Sequence, residues 1–507
     1  MSTGGLSVEF YETSRQRRLL LLGLLALAAS LISARLILSY DFLPLIAQVA
    51  WLGLLAIAWR PRIGLYVVFA LVLLFEPGGP DQLMQPGLYL FGTGIGTAFH
   101  ISGTLVTPLE LLLVLTFVVW LAKGLARREL DMRAGRLGWL MLLFALMLVV
   151  GLAWGTATGG DTYVAFWESR ALFYAVICFF LAANTIRTRG HVRTLMGLTL
   201  LSTGAFAIEG AYRKIALLSP GELDVAQEFA FAHDSSIFLA VVILLVLAQA
   251  VFGAPRWQRL LGLGLLPIAL FTLFASQRRA GIMGLLIAFL ALAMVMAITR
   301  RKAFFLLIVP LLFSLAVYLP LFWNNTGTIG QPARAVRSLV SPDPRDASSN
   351  EYRDLEAINV RATIDSSPLM GVGFGREFQF VVPLPDLSFW QFWHYEPHHN
   401  ILWVWLKAGA IGFTVFWTLM GTALALAAHH ARRLRTPELR SFAVLSIVAV
   451  IAAIITAMVF SYVDLGLISA RVTVLLGVLL GALSVVHRLD DQGNYRRKSA
   501  EGLQARL

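Results

Sequence analysis

The sequence is short of charge and almost without cysteine. Asp, Glu, Lys and Arg make up only 14% of its 507 residues, where a soluble protein carries about 25%. A chain so poor in charge cannot cover itself with polar surface, which excludes a water-soluble globular protein. Its one cysteine, Cys178, sits in an apolar run, so there is neither an internal disulfide nor a cysteine-based zinc site. Acidic residues are the scarcer sign, 29 against 41 Lys and Arg, for a formal charge of +12. The basic excess sits in short segments between apolar runs. It therefore reads as membrane orientation, and nucleic acid is excluded as a partner. An internal repeat and a dinucleotide fingerprint are also missing. Gly371-Val372-Gly373-Phe374-Gly375 lacks the GxGxxG spacing and a βαβ context. This glycine run reads as a turn, either a flexible one that lets backbone approach a substrate or simply a turn.

What the chain does have is hydrophobic length. Hydrophobic residues make up 58%, and the mean hydropathy is +0.75. A helix needs about 20 apolar residues to cross the hydrocarbon core. Apolar runs near 19–38, 43–59, 63–76, 105–122, 137–154, 164–184, 194–214, 235–252, 260–276, 280–299, 303–323, 401–425, 441–462 and 469–486 predict an all-α polytopic membrane protein. About 12–14 transmembrane helices and one large outer loop are expected. The first run is longer than a signal-peptide core and has no small-residue cleavage site, so it reads as a retained first helix.

With the N-terminus in the cytoplasm, the inner segments hold 27 of the 41 basic residues and the outer segments 8, with the rest inside spans. That bias puts both termini in the cytoplasm. The organisation is then helices 1–11 over 1–323, a large outer loop over 324–400 (periplasmic if the membrane is a bacterial inner one), helices 12–14 over 401–486 and a cytoplasmic tail over 487–507. A loop this long within a helix bundle is usually functional. It holds turn-rich stretches, Asn324-Asn325-Thr326-Gly327 and Ser341-Pro342-Asp343-Pro344. It also holds a helix with Leu355, Ile358 and Ala362 on one face, expected to be capped by Ser349 or Asn350 and ended by Ser367-Pro368.

The informative cations are those on the wrong side. Arg278 and Arg279 lie at the outer end of the ninth predicted span, and Arg170 lies about six residues into the sixth. Arg213, Lys214 and Arg471 sit near outer helix ends, and the loop adds Arg334, Arg337, Arg345, Arg353, Arg361 and Arg376. Ionisable residues within spans are costly and point to function. Arginine forks match phosphate oxygens, so together these residues predict an anion site at the outer interface. Singly, each is also explained by snorkelling to headgroups.

The loop closes on His394-Tyr395-Glu396-Pro397-His398-His399-Asn400. A neutral histidine can take a proton from a sugar hydroxyl, and neighbouring arginines keep it neutral. The plainer alternative is a pair that caps the next helix. A metal site is disfavoured, because adjacent histidines diverge on a helix.

Arg361, then Ser367-Pro368-Leu369-Met370-Gly371-Val372-Gly373-Phe374-Gly375, then His398-His399-Asn400-Ile401-Leu402 and Gly409-Ala410-Ile411-Gly412, resemble the O-antigen ligase and O-antigen polymerase superfamily. Ser276-Gln277-Arg278-Arg279-Ala280-Gly281 is similar to that family's junction upstream of the large loop. The resemblance covers about 276–412 and implies metal-independent glycosyl transfer in the bacterial inner membrane, with the active face periplasmic and no cofactor. It implies an undecaprenyl-diphosphate-linked glycan as donor, a glycan or lipid A-core as acceptor, and membrane lipids as surroundings. By position it makes His399 the first choice for the base and His398 the second. It makes Arg278 or Arg279, and Arg361, diphosphate ligands, while Arg170 and Arg353 join them on topology. Two departures stand out: Lys407 occupies a place that is often acidic, and Gln277-Arg278-Arg279 replaces a commoner Ser-Arg-Gly. Ligase and polymerase are not separable at this level. A transporter of lipid-linked or anionic polysaccharide is the rival reading, with Pro267 and Pro310 interrupting two spans. A non-catalytic scaffold is the third.

Overall fold

A computed structural model describes residues 53–76, 106–126, 134–217, 232–325, 327–388, 390–433 and 439–488. The predicted span at 19–38 and most of that at 43–59 lie outside these residues. The chain divides into a unit of residues 1–64 and a unit of residues 65–507. In the first, residues 53–59 are helical and residues 61–64 begin the helix Pro61–Leu74 (α1). All that follows concerns the second unit.

The second unit continues with Pro108–Ala126 (α2), Gly138–Ala157 (α3), Thr162–Thr185 (α4), Arg189–Tyr212 (α5), Ser235–Phe252 (α6), Arg256–Ala275 (α7), Arg279–Thr299 (α8) and Arg301–Leu321 (α9). Two helices follow in the long connection, Gln331–Arg337 (α10) and Pro344–Ser366 (α11). Then come Asn400–Arg433 (α12), a continuous run of Arg440–Ser446, Ile447–Ala452 and Ala453–Ser461 (α13), and Ala470–Ser484 (α14). Among the described residues there is no strand, and ten helices are long and apolar enough to cross a membrane. The protein is an all-α polytopic membrane protein.

Lipid tails are as apolar as leucine, so burial alone does not hold membrane helices together. Close backbone packing and polar contacts do. The helices α6 and α14 are buried on nearly every side and form the centre. Gly477 and Gly481 let α14 lie directly on α4: a Cβ on Gly477 would stand 2.4 Å from the Ala175 carbonyl oxygen, and one on Gly481 2.3 Å from that of Phe179. The helix α9, by contrast, keeps almost its whole surface outward, with Phe305, Leu306, Phe313 and Leu321 exposed.

Two of the stray cations are structural. Arg471 is fully buried and donates Nε to the Val72 carbonyl at 2.8 Å and Nη1 to Asp234 and Ser235, both at 2.8 Å. Arg213 pairs with Glu76 at 3.0 Å and Glu209 at 2.5 Å. A buried charge persists only when paired, and these two are.

Three expectations change in detail. The loop helix starts earlier than Ser349 or Asn350. Asp343 caps it, accepting from the Asp346 N–H at 2.9 Å, and Pro344 occupies the first helical position. Proline suits that position because the first turn has no use for its missing N–H. Pro267 lies inside an unbroken α7, and Pro310 sits in the first turn of a helical segment after a π turn. The real break is at Gly409 in α12, with φ 67° and ψ 179°.

The glycine turn fills that break and is tightly held, which removes the flexible alternative. Leu406 O accepts from Val372 N–H at 2.8 Å, and Pro368 O accepts from Ala410 N–H at 3.0 Å. On the other side Gly151 O accepts from Phe374 N–H at 3.1 Å. A Cβ on Gly373 (φ 81°) would stand 2.4 Å from the Gly155 Cα, so glycine is required on both chains. Beneath the turn, Lys407 Nζ meets Glu168 Oε1 at 2.7 Å, both fully buried, and donates to the Arg376 carbonyl at 2.6 Å. Glu168 Oε2 accepts from Gly375 N–H at 2.6 Å. The acid that position 407 lacks is thus supplied by α4.

Candidate functional site

Two cavities open where the 324–400 connection meets the helix ends. The first, about 480 Å³, is walled by Arg278 and Arg279 from the α7–α8 junction, Arg334 from α10, and Arg345, Ser349, Asn350 and Arg353 around α11. Tyr462 and Asp464, just after α13, complete it. Gln277 bends the chain from α7 into α8 with φ 54°, the one non-glycine residue with positive φ among those described. This conformation is costly for a side-chain-bearing residue and tends to persist at functional sites. Here it sets Arg278 and Arg279 on the cavity wall.

Carboxylates and a hydroxyl hold several of these arginines in place. Arg279 Nε lies 3.4 Å from Asp346 Oδ1, and Arg334 Nη2 lies 2.9 Å from Asp343 and 3.5 Å from Asp346. Arg353 donates to Ser349 Oγ at 2.8 Å. Five guanidinium groups face two lining carboxylates, Asp346 and Asp464. The excess charge suits a multiply charged anion, and arginine binds phosphate oxygens in pairs.

His398 and His399 line neither cavity, and they have different partners. His398 Nδ1 is 3.1 Å from Glu356 Oε1, and its backbone N–H donates to Glu356 Oε2 at 2.7 Å. Glu356 is fully buried on α11, one turn beyond Arg353. A carboxylate only accepts hydrogen bonds, so in the neutral ring the proton belongs on Nδ1 and the lone pair on Nε2. His399 is arranged the other way round. Its Nδ1 accepts from the Leu402 N–H at 3.2 Å, capping α12, and its ring lies 4.5 Å from Tyr462. Burial, and then the charge of Arg361, lowers the His399 pKa.

The second cavity, about 370 Å³, is lined by Trp167, Arg170, His233, Phe392, Glu396 and Arg471, among others. Asp464 lines both cavities. Burial opposes ionisation of Asp464, yet His233 at 3.0 Å holds its carboxyl well below the usual carboxylate range. Burial, reinforced by the nearby Glu168, pushes Glu396 up to about 8.

Of the residues singled out from sequence, Arg278, Arg279 and Arg353 come together in one cavity; His398 and His399 do not line it, although the His399 ring packs on Tyr462, which does. Arg170 does not join them: it lies over the Trp167 ring at 3.2 Å, 3.7 Å from Glu110, in the second cavity. Arg361 is exposed on α11 and lines neither cavity. Sequence reasoning named Arg334 and Arg345 only as loop cations and missed Glu356, Glu396, His233 and Asp464. Glu356 left a signal, since it shares a helix face with Ser349 and Arg353 at spacings of seven and three. The contact of His233 with Asp464 joins positions 231 apart, and nothing local announces it.

The fold and site define a polytopic helical membrane protein with a cationic cavity beneath one long connection. A family model described as O-antigen ligase matches residues 264–417, from within α7 through the break in α12. Over that segment the chain is similar to the O-antigen ligase family. No curated protein matches the chain.

Proposed function

We propose that this protein transfers a glycan from undecaprenyl diphosphate to an acceptor hydroxyl, as a ligase or polymerase at the periplasmic face of the bacterial inner membrane. In this reading the 324–400 connection is periplasmic and both termini are cytoplasmic. The observation that carries it is the five-arginine cavity, lined by Arg353 of the same helix whose buried Glu356 holds His398. The donor diphosphate sits among Arg278, Arg279 and Arg353, joined by Arg334 and Arg345, with its lipid tail leaving toward the bilayer. The acceptor O–H gives its proton to a histidine, and its oxygen forms a bond to the anomeric carbon. The bond from that carbon to the phosphate oxygen breaks, and lipid diphosphate leaves with the electron pair. Fixed guanidinium groups stabilise the charge that develops on the leaving phosphate, a role that needs no metal.

Sequence position favours His399 as base, but the hydrogen bonds favour His398. With Nδ1–H committed to Glu356, His398 presents Nε2 as a proton acceptor. A neutral His399 whose Nδ1 accepts from Leu402 carries its proton on Nε2 and serves better as a cap. Arg361 tunes His399 from outside the cavity, and Arg170 acts elsewhere.

The test is direct. Purified protein in nanodiscs is given undecaprenyl-diphosphate glycan and a glycan or lipid A-core acceptor, with chelator and without any gradient. A new glycosidic bond is expected. Movement of the glycan lipid between leaflets of sealed vesicles with no bond change would replace this reading with transport.

A further inference from the structure

The two cavities differ in chemistry, although Asp464 is common to both. The first is walled by arginines. The second carries carboxylates and aromatic rings: Glu396 and Asp464 beside Trp167 and Phe392. Its two arginines, Arg170 and Arg471, are offset by Asp234, Glu396 and Asp464, so it lacks the surplus of arginines that suits a diphosphate. Three donors of its lining residues also lack hydrogen-bond partners among the described residues, Arg170 Nη1 and two others. The other two are Trp167 Nε1 and Arg471 Nη2, the latter on a fully buried side chain. Buried polar atoms without partners are rare and ask for an explanation.

We propose that this second cavity binds the acceptor as a non-anionic sugar ring, with Asp464 marking the boundary to the donor. Ring oxygens and hydroxyls accept from Trp167 Nε1 and Arg471 Nη2. Sugar hydroxyls donate to Asp464 and His233, and the C–H face of the ring lies on Phe392. Such a mixture of apolar walls and a few convergent polar groups is typical of small-molecule sites. Burial keeps Glu396 largely protonated at neutral pH, so it can both donate and accept to hydroxyls. The aromatic strip continues toward the base: Trp390, two residues before Phe392, has its ring 5.9 Å from that of His398. Arg170, flat on Trp167, then stiffens the wall of a sugar subsite and does not hold phosphate.

This assignment rests on the transfer reading, and binding measured without turnover separates the two. The probes are the oligosaccharide repeat and the core oligosaccharide, each released from the host bacterium by mild acid, and undecaprenyl diphosphate. Ala470→Trp fills the cavity from the start of α14, and Phe392→Ala removes the ring platform. For whichever oligosaccharide the wild type binds, Ala470→Trp is expected to weaken binding at least tenfold and Phe392→Ala several-fold. The Kd for undecaprenyl diphosphate should stay within twofold in both. Unchanged oligosaccharide binding in both variants, each checked for folding by thermal melting, would overturn the proposal. So would failure of the wild type to bind either oligosaccharide. Failure to bind undecaprenyl diphosphate, with sugar binding intact, would instead reject the donor site and leave this one standing.

Discussion

Replacing Glu356 by glutamine exchanges one oxygen for an amino group, and it is expected to silence transfer while leaving the fold almost untouched. Each carboxylate oxygen of Glu356 accepts one bond, Oε2 from the His398 backbone N–H at 2.7 Å and Oε1 from Nδ1–H at 3.1 Å. Glutamine can keep only one acceptor. If its oxygen stays on the shorter backbone bond, its NH2 group faces Nδ1, which must then accept. The ring proton moves to Nε2, and the lone pair that takes the acceptor's proton is gone. Losing a general base slows a reaction by roughly 10²–10⁴-fold, equivalent to about 3–5 kcal/mol in the barrier. The fold should lose only about 1 kcal/mol, the net worth of a typical hydrogen bond. The assay is single-turnover transfer with donor preloaded, together with the Kd for undecaprenyl diphosphate, which should not change. Glu356→Asp keeps the charge and should recover part of the rate. The reasoning fails if Glu356→Gln transfers within tenfold of wild type, or if His398→Ala is active while His399→Ala is dead.

Further outcomes follow from the same geometry. His399→Ala should cost about 0.5–2 kcal/mol of stability through the lost helix cap and less than about tenfold in transfer rate, since a cap takes no part in proton transfer; thermal melts and the same assay read both. Arg279→Ala and Arg353→Ala should each weaken undecaprenyl diphosphate binding about 10–100-fold, matching the roughly 1.5–3 kcal/mol of a hydrogen bond to a charged group; titration calorimetry in nanodiscs would show it. Lys407→Ala leaves Glu168 buried without its counterion and should cost about 3–5 kcal/mol, seen as a large drop in melting temperature in detergent. Glu396 is protonated more readily in the folded chain, with a pKa of about 8 against an ordinary 4.5. Its contribution to stability is therefore complete below about pH 4.5 and lost as the pH rises through about 8. Melts across that window should show the decline, and Glu396→Gln should flatten it.

The helices were legible in the sequence because lipid forces each segment to satisfy its own backbone hydrogen bonds. Hydropathy is a property of a stretch of chain, and the apolar runs from 105 onward each became a helix close to where they were read, although the run at 401–425 continues to Arg433 and is broken at Gly409. Arg278 and Arg279 were legible for the same reason: two charges at the end of an apolar run stand out locally. The cap of α11 was written in Asp343-Pro344 but was sought six residues too late. The partners of those charges were not legible. Arg471 finds Asp234, Lys407 finds Glu168, and His398 finds Glu356 only after the helices have chosen neighbours. Arg170 and Arg353 read alike from the sequence, as cations on one face, yet they line different cavities. Packing decided that, because an ion pair or a cavity wall depends on which helices touch, and no single segment carries that information.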